Sequence, residues 1–479
     1  MSAFNIPIWL AQLLTQRGLF SESQVKAFFS PSSLEVHDPF LMSDMKEAVK
    51  LLFHTIDRKQ KVMVYGDYDV DGTTAVSMMS DFLHELGVDH INYIPDRFTE
   101  GYGVSDQGIE TAIDQNCKLI ITLDCGIRAA KPIAKAKENG IKVIVCDHHQ
   151  PGEILPDAYA ILNPKKVNCT YPFKELSGAG VGFKLIQAFS QEQGWEWEDI
   201  THHLDLLALS IAADMVNIQG ENRFLASQGL EIINSSERRI GLDLLLKKAK
   251  RDEIQLTITD LVFALSPRIN AAGRLGSASD AILLLSKTSS QIEKENTVEK
   301  IEQLNSQRKL LDQRIKEEAL EQIRATNNHN LSHCTVVCSQ DWHKGVVGIV
   351  ASRLIEEHYR PTVVLAESEG MVTGSVRSIN GIDVHKALQH CESVLKKYGG
   401  HVMAAGLLLE KEKLPEFRKL FNEAIVLQQE KHLTPTIKIH AEVGLDQWTD
   451  KMFKIIERME PFGPGNQRPL FIAKGVILE

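Results

Sequence analysis

The stretch KVMVYGDYDVDGTTAVSMMSDFLHEL (61–86) decides the fold. KVMVYG (61–66) is an apolar run of strand length, and TTAVSMMSDFLHEL (73–86) has the apolar spacing of a helix. Between them Asp67, Asp69 and Asp71 alternate with other residues. Carboxylates this close repel one another and raise each other's pKa. Their collection at one turn implies a positive partner.

Outward from this stretch, the strand signal recurs in HINYIP (90–95), KLIITLD (118–124) and KVIVCD (142–147), with helical stretches near 105–116 and 129–139 between. Strands alternating with helices imply right-handed crossovers and a mostly parallel sheet. Residues 7–30 read as two short amphipathic helices and 178–250 as mainly helical. The stretch 291–325 has no Gly or Pro, is dense in charge, and spaces Ile301, Leu304, Leu311 and Ile315 helically. It reads as one long, largely exposed helix joining two domains. A second α/β pattern follows, with strands TVVCSQ (335–340) and PTVVLAE (361–367) around the helix GVVGIVASRLIEEHY (345–359). From about 434 the text is strand-like again and stops mid-pattern, as if inside a third domain.

A chain of 479 residues suits roughly two to four domains. Its net charge of −10 argues against a basic coat for non-specific nucleic-acid binding, though not against a local basic groove. Seven scattered cysteines without a CxxC pair indicate neither a disulfide framework nor a zinc ribbon, and a reducing cytoplasm is the expected compartment. No apolar run approaches the ~20 residues that span a bilayer. The start, MSAFNIPIWLAQLL, has no basic leader, so neither a membrane span nor a signal peptide is expected.

Asp124 ends the third strand run, and Asp147, His148 and His149 end the fourth. Ligands of open parallel sheets bind beyond the carboxyl ends of the strands. Topology alone therefore gathers five carboxylates and two imidazoles at one edge. A calcium loop is excluded: the DxDxDG start matches, but the ninth and twelfth positions are Ala75 and Met78, and a strand precedes. Mixed carboxylate and imidazole donors suit Mn²⁺ better than Ca²⁺, with Mg²⁺ or Zn²⁺ open. So many acids suit two bridged ions, the arrangement that serves in-line phosphoryl displacement. Asp214, within the apolar helical run LLALSIAADMVNI (206–218), needs a partner if buried: a metal, an arginine or a helix cap. SGAGVGFKL (177–185) mimics a dinucleotide loop, but PFKEL before it is no strand, and Ser177 reads instead as a helix N-cap with glycines permitting close packing.

VYGDYDVDGTTA, ITLDCG, VIVCDHHQ and AADMV, in that order, resemble the DHH phosphoesterase superfamily, named for Asp-His-His, here 147–149. LNPK (162–165), SGAGVGFKL (177–185), SPRINAAGRLG (266–276), WHKGVVGIVASR (342–353), GSVRS (374–378), YGGHVMAAG (398–406) and PFGPGN (461–466) narrow the resemblance to the RecJ family, bacterial 5′→3′ exonucleases specific for single-stranded DNA. It runs from about residue 10 to the end. The resemblance implies an α/β chain: a helical appendage (1–55), a DHH catalytic domain (56–290), a connecting helix (291–328), a DHHA1-like substrate domain (329–432) and the start of an OB-like domain (433–479).

It also implies roles. Asp69, Asp71, Asp124, His148 and Asp214 match positions that bind a pair of Mn²⁺ or Mg²⁺ ions, with Asp67 close by or also ligating. Tyr65 stands where many relatives have histidine, so Asp67 would substitute. Asp147 suits orienting an imidazole, and His149 either ligates or donates to a phosphate oxygen. Arg268, Arg274, Arg377, His343 and His401 are the expected nucleic-acid contacts, and Trp342 and Tyr398 either stack on bases or fill core. The implied product is a 5′-mononucleotide, the implied setting recombination and repair, and the implied partners single-stranded DNA, a single-strand-binding protein and a helicase. Two rivals are a compact phosphodiesterase of short or cyclic oligonucleotides and a scaffold without activity. The appendage, long helix and tail oppose the first, and the intact acids and histidines oppose the second.

Overall fold

A computed structural model describes residues 6–30, 36–325, 333–428 and 434–476. They divide into two units, Met1–Gln303 with Lys438–Glu479, and Leu304–Ile437. The expected boundaries at 328/329 and 432/433 lie outside the described residues.

The first unit is built on β1 (Val62–Gly66), β2 (His90–Tyr93), β3 (Leu119–Leu123), β4 (Lys142–Cys146) and β5 (Ala160–Leu162), all parallel in the order β2-β1-β3-β4-β5. The period-two rule explains its two cores. Val62 and Val64 of β1 join one apolar cluster, and Met63 and Tyr65 join the other. The first cluster includes α3 (Met45–Asp57), α4 (Val70–Glu85), α7 (Gly178–Gln193) and α9 (Leu204–Ala213). The second includes α5 (Asp106–Asp114) and α6 (Ala130–Glu138). Each fully buried Val or Ile contributes about 1.5–3 kcal/mol. A short α8 (Glu198–Thr201) precedes α9. Then α10 (Gly220–Ile233), α11 (Ile240–Ala249), one-turn α12 (Ile258–Asp260), α13 (Ser266–Leu275) and α14 (Ser279–Leu285) complete the helical half.

The N-terminal segment is not one appendage. Met45, Ala48, Val49, Leu51 and Leu52 put α3 into the main core. By contrast, α1 (Ile8–Gln16) and α2 (Glu22–Phe29) share a core with the tail: Trp9, Leu13, Leu14 and Phe28 meet Ala441, Val443, Met452 and Met459. The tail contributes α19 (Asp450–Glu457) and the parallel pair β11 (Ala441–Glu442) and β12 (Phe471–Ile472). PFGPGN is a clamp here. The buried Arg223 guanidinium donates to the carbonyls of Phe28, Glu460 and Pro461. Asn466 donates to the carbonyls of Met459 and Pro461 and accepts from Arg17.

The helix expected at 291–325 is α15, Gln291–Ala325. It is less exposed than its charge suggests. Val298, Ile301, Ile315, Ala319 and Ile323 form a buried stripe that also takes in Asn305, Arg308 and Asp312. The division between the units falls inside this helix.

The second unit has the mixed sheet β6-β7-β8-β10-β9, from β6 (Thr335–Ser339), β7 (Thr362–Ser368), β8 (Met371–Arg377), β9 (Lys397–Gly400) and β10 (Ala404–Glu410). Only β6 and β7 pair in parallel. The helices α16 (Val347–His358), α17 (Val384–His390) and α18 (Leu414–Gln428) accompany it, and Phe417, Phe421 and Ile425 pack with Val363, Leu365 and Val376.

Candidate metal centre

The carboxyl ends of β1, β3 and β4 carry the acidic groups. Asp67 follows β1 directly and is buried, and neither carboxylate oxygen has a hydrogen-bond donor among the described residues. Asp69 caps α4, accepting from the Gly72 amide at 3.1 Å. Asp71, in the first turn of α4, is held by three donors: the amides of Gly178 (2.7 Å) and Ala179 (2.8 Å), which open α7, and the Ser210 hydroxyl (2.7 Å) of α9. A helix N-terminus is a natural seat for a carboxylate. Asp124 follows β3 with φ 59°, a left-handed backbone rare outside glycine. Its side chain faces Gly178, where an added Cβ would lie 2.4 Å from the Asp124 Cβ.

The DHH residues divide their tasks. His148 Nδ1 lies 3.0 Å from the Leu176 carbonyl, so that nitrogen carries the proton and Nε2 is left bare. Nε2 stands 3.2 Å from Asp124 Oδ1, 3.5 Å from Asp214 Oδ2 and 3.9 Å from Asp71 Oδ2. Asp147 points away from that cluster's centre. It accepts from the amides of Ile127 and His149 and from His149 Nδ1 at 2.8 Å. Asp214 caps the C-terminus of α9 with its side chain 30% exposed. From that cap position its carboxylate also faces His148. The donor trios Asp71–His148–Asp214 and Asp124–His148–His149 each lie within 4.8 Å of one another.

The electrostatics show what the cluster lacks. Burial, then the charge of Asp71 and Asp69, pushes Asp124 far above the ordinary carboxylate range. Burial, then Asp69, does the same to Asp67. Desolvation, then Asp71 and Asp69, pushes Asp214 up to about 9. Burial lowers His148. His149 goes the other way: burial opposes its charge, but the hydrogen bond to Asp147 and the charges of Asp147, Asp71 and Asp69 together offset that and raise it. Asp147 is correspondingly lowered, its burial outweighed by His149. Asp67 Oδ1 and Oδ2, Asp124 Oδ1 and His148 Nε2 are all buried acceptors without donors. Such groups are costly unless something positive satisfies them. The donor set therefore fits divalent cations of the Mn²⁺ or Mg²⁺ class.

Other expected residues fall elsewhere. Tyr65 turns its hydroxyl to the Gly103 carbonyl and the Ser105 amide and stacks on Tyr93, away from the acids. Arg268 is 9% exposed, paired with Glu302 at 2.7 Å and bonded to the Ala264 carbonyl. It braces α13 to α15 and has no fork left for a phosphate, which corrects the expectation. Arg274 sits at the end of α13, where the preceding Gly273 touches the Tyr68 carbonyl between Asp67 and Asp69. His343, Arg377 and His401 lie in the second unit. There Arg377 bonds the Ser375 hydroxyl and the Val376 carbonyl, and no carboxylate pairs with it among the described residues. His343 Nδ1 accepts from the Gly345 amide. Trp342 is core, its indole donating to Glu318. Lys184 of SGAGVGFKL is a buried ion pair with Glu221.

Sequence reasoning missed several contributors. The Tyr102 hydroxyl donates to the Asp124 carbonyl and lies 3.2 Å from His149 Nε2. Asn163, the second residue of LNPK, donates to the His149 carbonyl. Arg97 stacks on Tyr68 and supplies positive charge to Asp67 and Asp69. No spacing marks such residues; only strand ends brought together reveal them.

Comparison with known proteins places these observations in a family context. Residues 61–211 match the DHH family N-terminal domain, 330–427 the DHHA1 domain and 439–479 the RecJ OB domain. The chain is 38% identical to the single-stranded-DNA-specific exonuclease RecJ of Bacillus subtilis over 98% of its own length and 59% of that protein's. It is 35% identical to the RecJ of Haemophilus influenzae, covering 92% of this chain and 80% of that one. The crystal structure of Thermus thermophilus RecJ in complex with Mn²⁺ matches with a TM-score of 0.84 at 28% identity, covering 99% of this chain and 67% of that chain.

Proposed function

Because this chain belongs to the RecJ family of single-stranded-DNA-specific exonucleases, we propose that it is a metal-dependent 5′→3′ exonuclease releasing 5′-mononucleotides from single-stranded DNA, in recombination and repair. The observation that carries this is the set of donorless buried acceptors on Asp67, Asp124 and His148, facing Asp71 and Asp214 at one edge of a parallel sheet.

Asp67, Asp69, Asp71, Asp124, His148 and Asp214 hold the metal, as Mn²⁺ or Mg²⁺. When bound, such ions supply Lewis acidity, which lowers the pKa of a water and draws charge from nonbridging phosphate oxygens. The rest is the work of the chain. The two amides and hydroxyl on Asp71 fix its orientation, and the Leu176 carbonyl keeps the His148 proton off Nε2. Asp147 holds His149 through its Nδ1, so that Nε2 reaches a phosphate oxygen or, without substrate, the Tyr102 oxygen. Attack in line with the departing 3′-oxygen completes hydrolysis. In the second unit, Arg377 and His401 contact the strand's phosphates, Arg377 because its fork has no acid to neutralise it. The DHH domain takes in α3 (Met45–Asp57) and extends to 290, and the DHHA1-like domain covers 329–432. A cytoplasmic location, a single-strand-binding protein and a helicase belong to the same reading; no helix among the described residues is long and apolar enough to cross a membrane.

The test is digestion of long single and double strands blocked at either end, with and without Mn²⁺. Mononucleotide release from the free 5′ end of single strands, abolished by chelation, is expected. Equal digestion of duplex, or none with Mn²⁺ present, refutes the reading.

A further inference from the structure

The far ends of the helices that carry the acids hold a second group of ligating side chains. Glu85 is the last residue of α4, His202 caps α8, and His203 opens α9. The donor atoms of all three lie within 4.8 Å of one another. Glu85 Oε1 is 3.0 Å from His202 Nε2, and Glu85 Oε2 is 3.7 Å from His203 Nε2. A tetrahedral zinc with bonds of about 2.0–2.1 Å sets donors roughly 3.3 Å apart, and both separations lie near that value.

An ordinary ion pair accounts for Glu85 and His202, whose side chains are 37% and 36% exposed. It does not account for His203. That ring is fully buried, and neither nitrogen has a hydrogen-bond partner among the described residues. Its Nε2 is directed at the free oxygen of Glu85 but stops short of hydrogen-bond distance. A buried imidazole costs free energy unless its nitrogens are satisfied. Burial also keeps His203 neutral, the form a metal takes.

We propose that Glu85, His202 and His203 form a second metal site, separate from the acidic centre, that takes one zinc-class cation and ties α4 to the start of α9. Two imidazoles and one carboxylate favour Zn²⁺ over Mn²⁺ or Mg²⁺. Lys287, whose ammonium is 3.6 Å from Glu85 Oε1 and whose side chain is 43% exposed, swings into solvent when the ion enters. The role is structural. The 16 residues of α4 span about 24 Å and the 10 of α9 about 15 Å, so the ion sets the axial register of two packed helices at the ends remote from Asp71 and Asp214. It does not depend on the nuclease reading.

The test counts zinc on the full chain after EDTA treatment and dialysis, by metal analysis and calorimetry with ZnCl₂. Because the acidic centre also takes zinc, the readout is a difference. His202→Ala and Glu85→Gln, both at half-exposed positions, are expected to bind one equivalent less than the parent. They should lose part of the zinc-induced rise in Tm while keeping Mn²⁺-dependent digestion within about twofold. Equal zinc stoichiometry in the parent and both variants, or a thermal shift that both retain in full, overturns the proposal.

Discussion

At the scale of single residues, Asp124 concentrates the strain. It has a left-handed backbone, a buried side chain and carboxylate neighbours that all disfavour its charge. Residues held this way persist where function over-determines them. Asp124→Ala is expected to cut hydrolysis by about 10²–10³-fold or more. Circular dichroism should show an intact fold, because the change removes repulsion. A parent-like rate would remove Asp124 from the mechanism. Two arginines make an opposite pair. Arg268→Ala breaks a part-buried bridge to Glu302 and should cost about 1–3 kcal/mol in denaturant unfolding with KM unchanged. Arg377→Ala should spare stability and raise KM for single strands, less so at high salt. These two were alike in the sequence, each an arginine in a matched motif. What separated them was burial and a carboxylate 34 positions away, which one-dimensional spacing does not reveal. Asp67, Asp124 and Asp147–His149 were legible for the converse reason: they directly follow strands, so the strand's direction alone carries them to the edge.

At the scale of elements, a close fit of direct consequence for the acidic edge is where α7 meets β3. Gly178 and Gly182 open onto Asp124 and Leu123, with added carbons at 2.4 and 2.7 Å. Gly178 therefore serves two purposes, giving its amide to Asp71 and its missing side chain to Asp124. Gly178→Ala is expected to push the start of α7 off β3, costing about 1–3 kcal/mol. It should also lower kcat, since the Asp71 amides move with it. Unfolding midpoints and single-turnover rates measure both. Elements with strong periodicity were readable: β1, β3, β4 and the whole of α15 appear where apolar runs and charge pattern put them. The strands β8, β9 and β10 were not. Gly374 interrupts the apolar run of β8 because the neighbouring Val364 carbonyl is too close for a side chain.

At the scale of the whole molecule, the acidic edge couples stability to metal and pH. Asp67, Asp124 and Asp214 have folded pKa values above their unfolded ones, Asp214 near 9. In the folded, metal-free chain these three groups thus hold more protons than in the unfolded one between about pH 4 and 9. Stability from these groups is present at low pH and lost as pH rises through that window. Mn²⁺ replaces the protons. Its addition should raise Tm, by about 2.7 kcal/mol of ligand stabilisation at 100 Kd, and more at pH 8 than at pH 6. A Tm indifferent to Mn²⁺ at pH 8 would contradict this account of the edge.

The shared core of α1 and the tail has a further consequence, for how the chain is made. Trp9, Leu13 and Leu14 leave the ribosome more than four hundred residues before their partners at 441–459. At about 5–20 residues per second, those apolar groups wait tens of seconds uncovered. The nascent protein therefore carries an uncovered apolar surface until the segment 441–459 has emerged, and a holding chaperone has its natural target there.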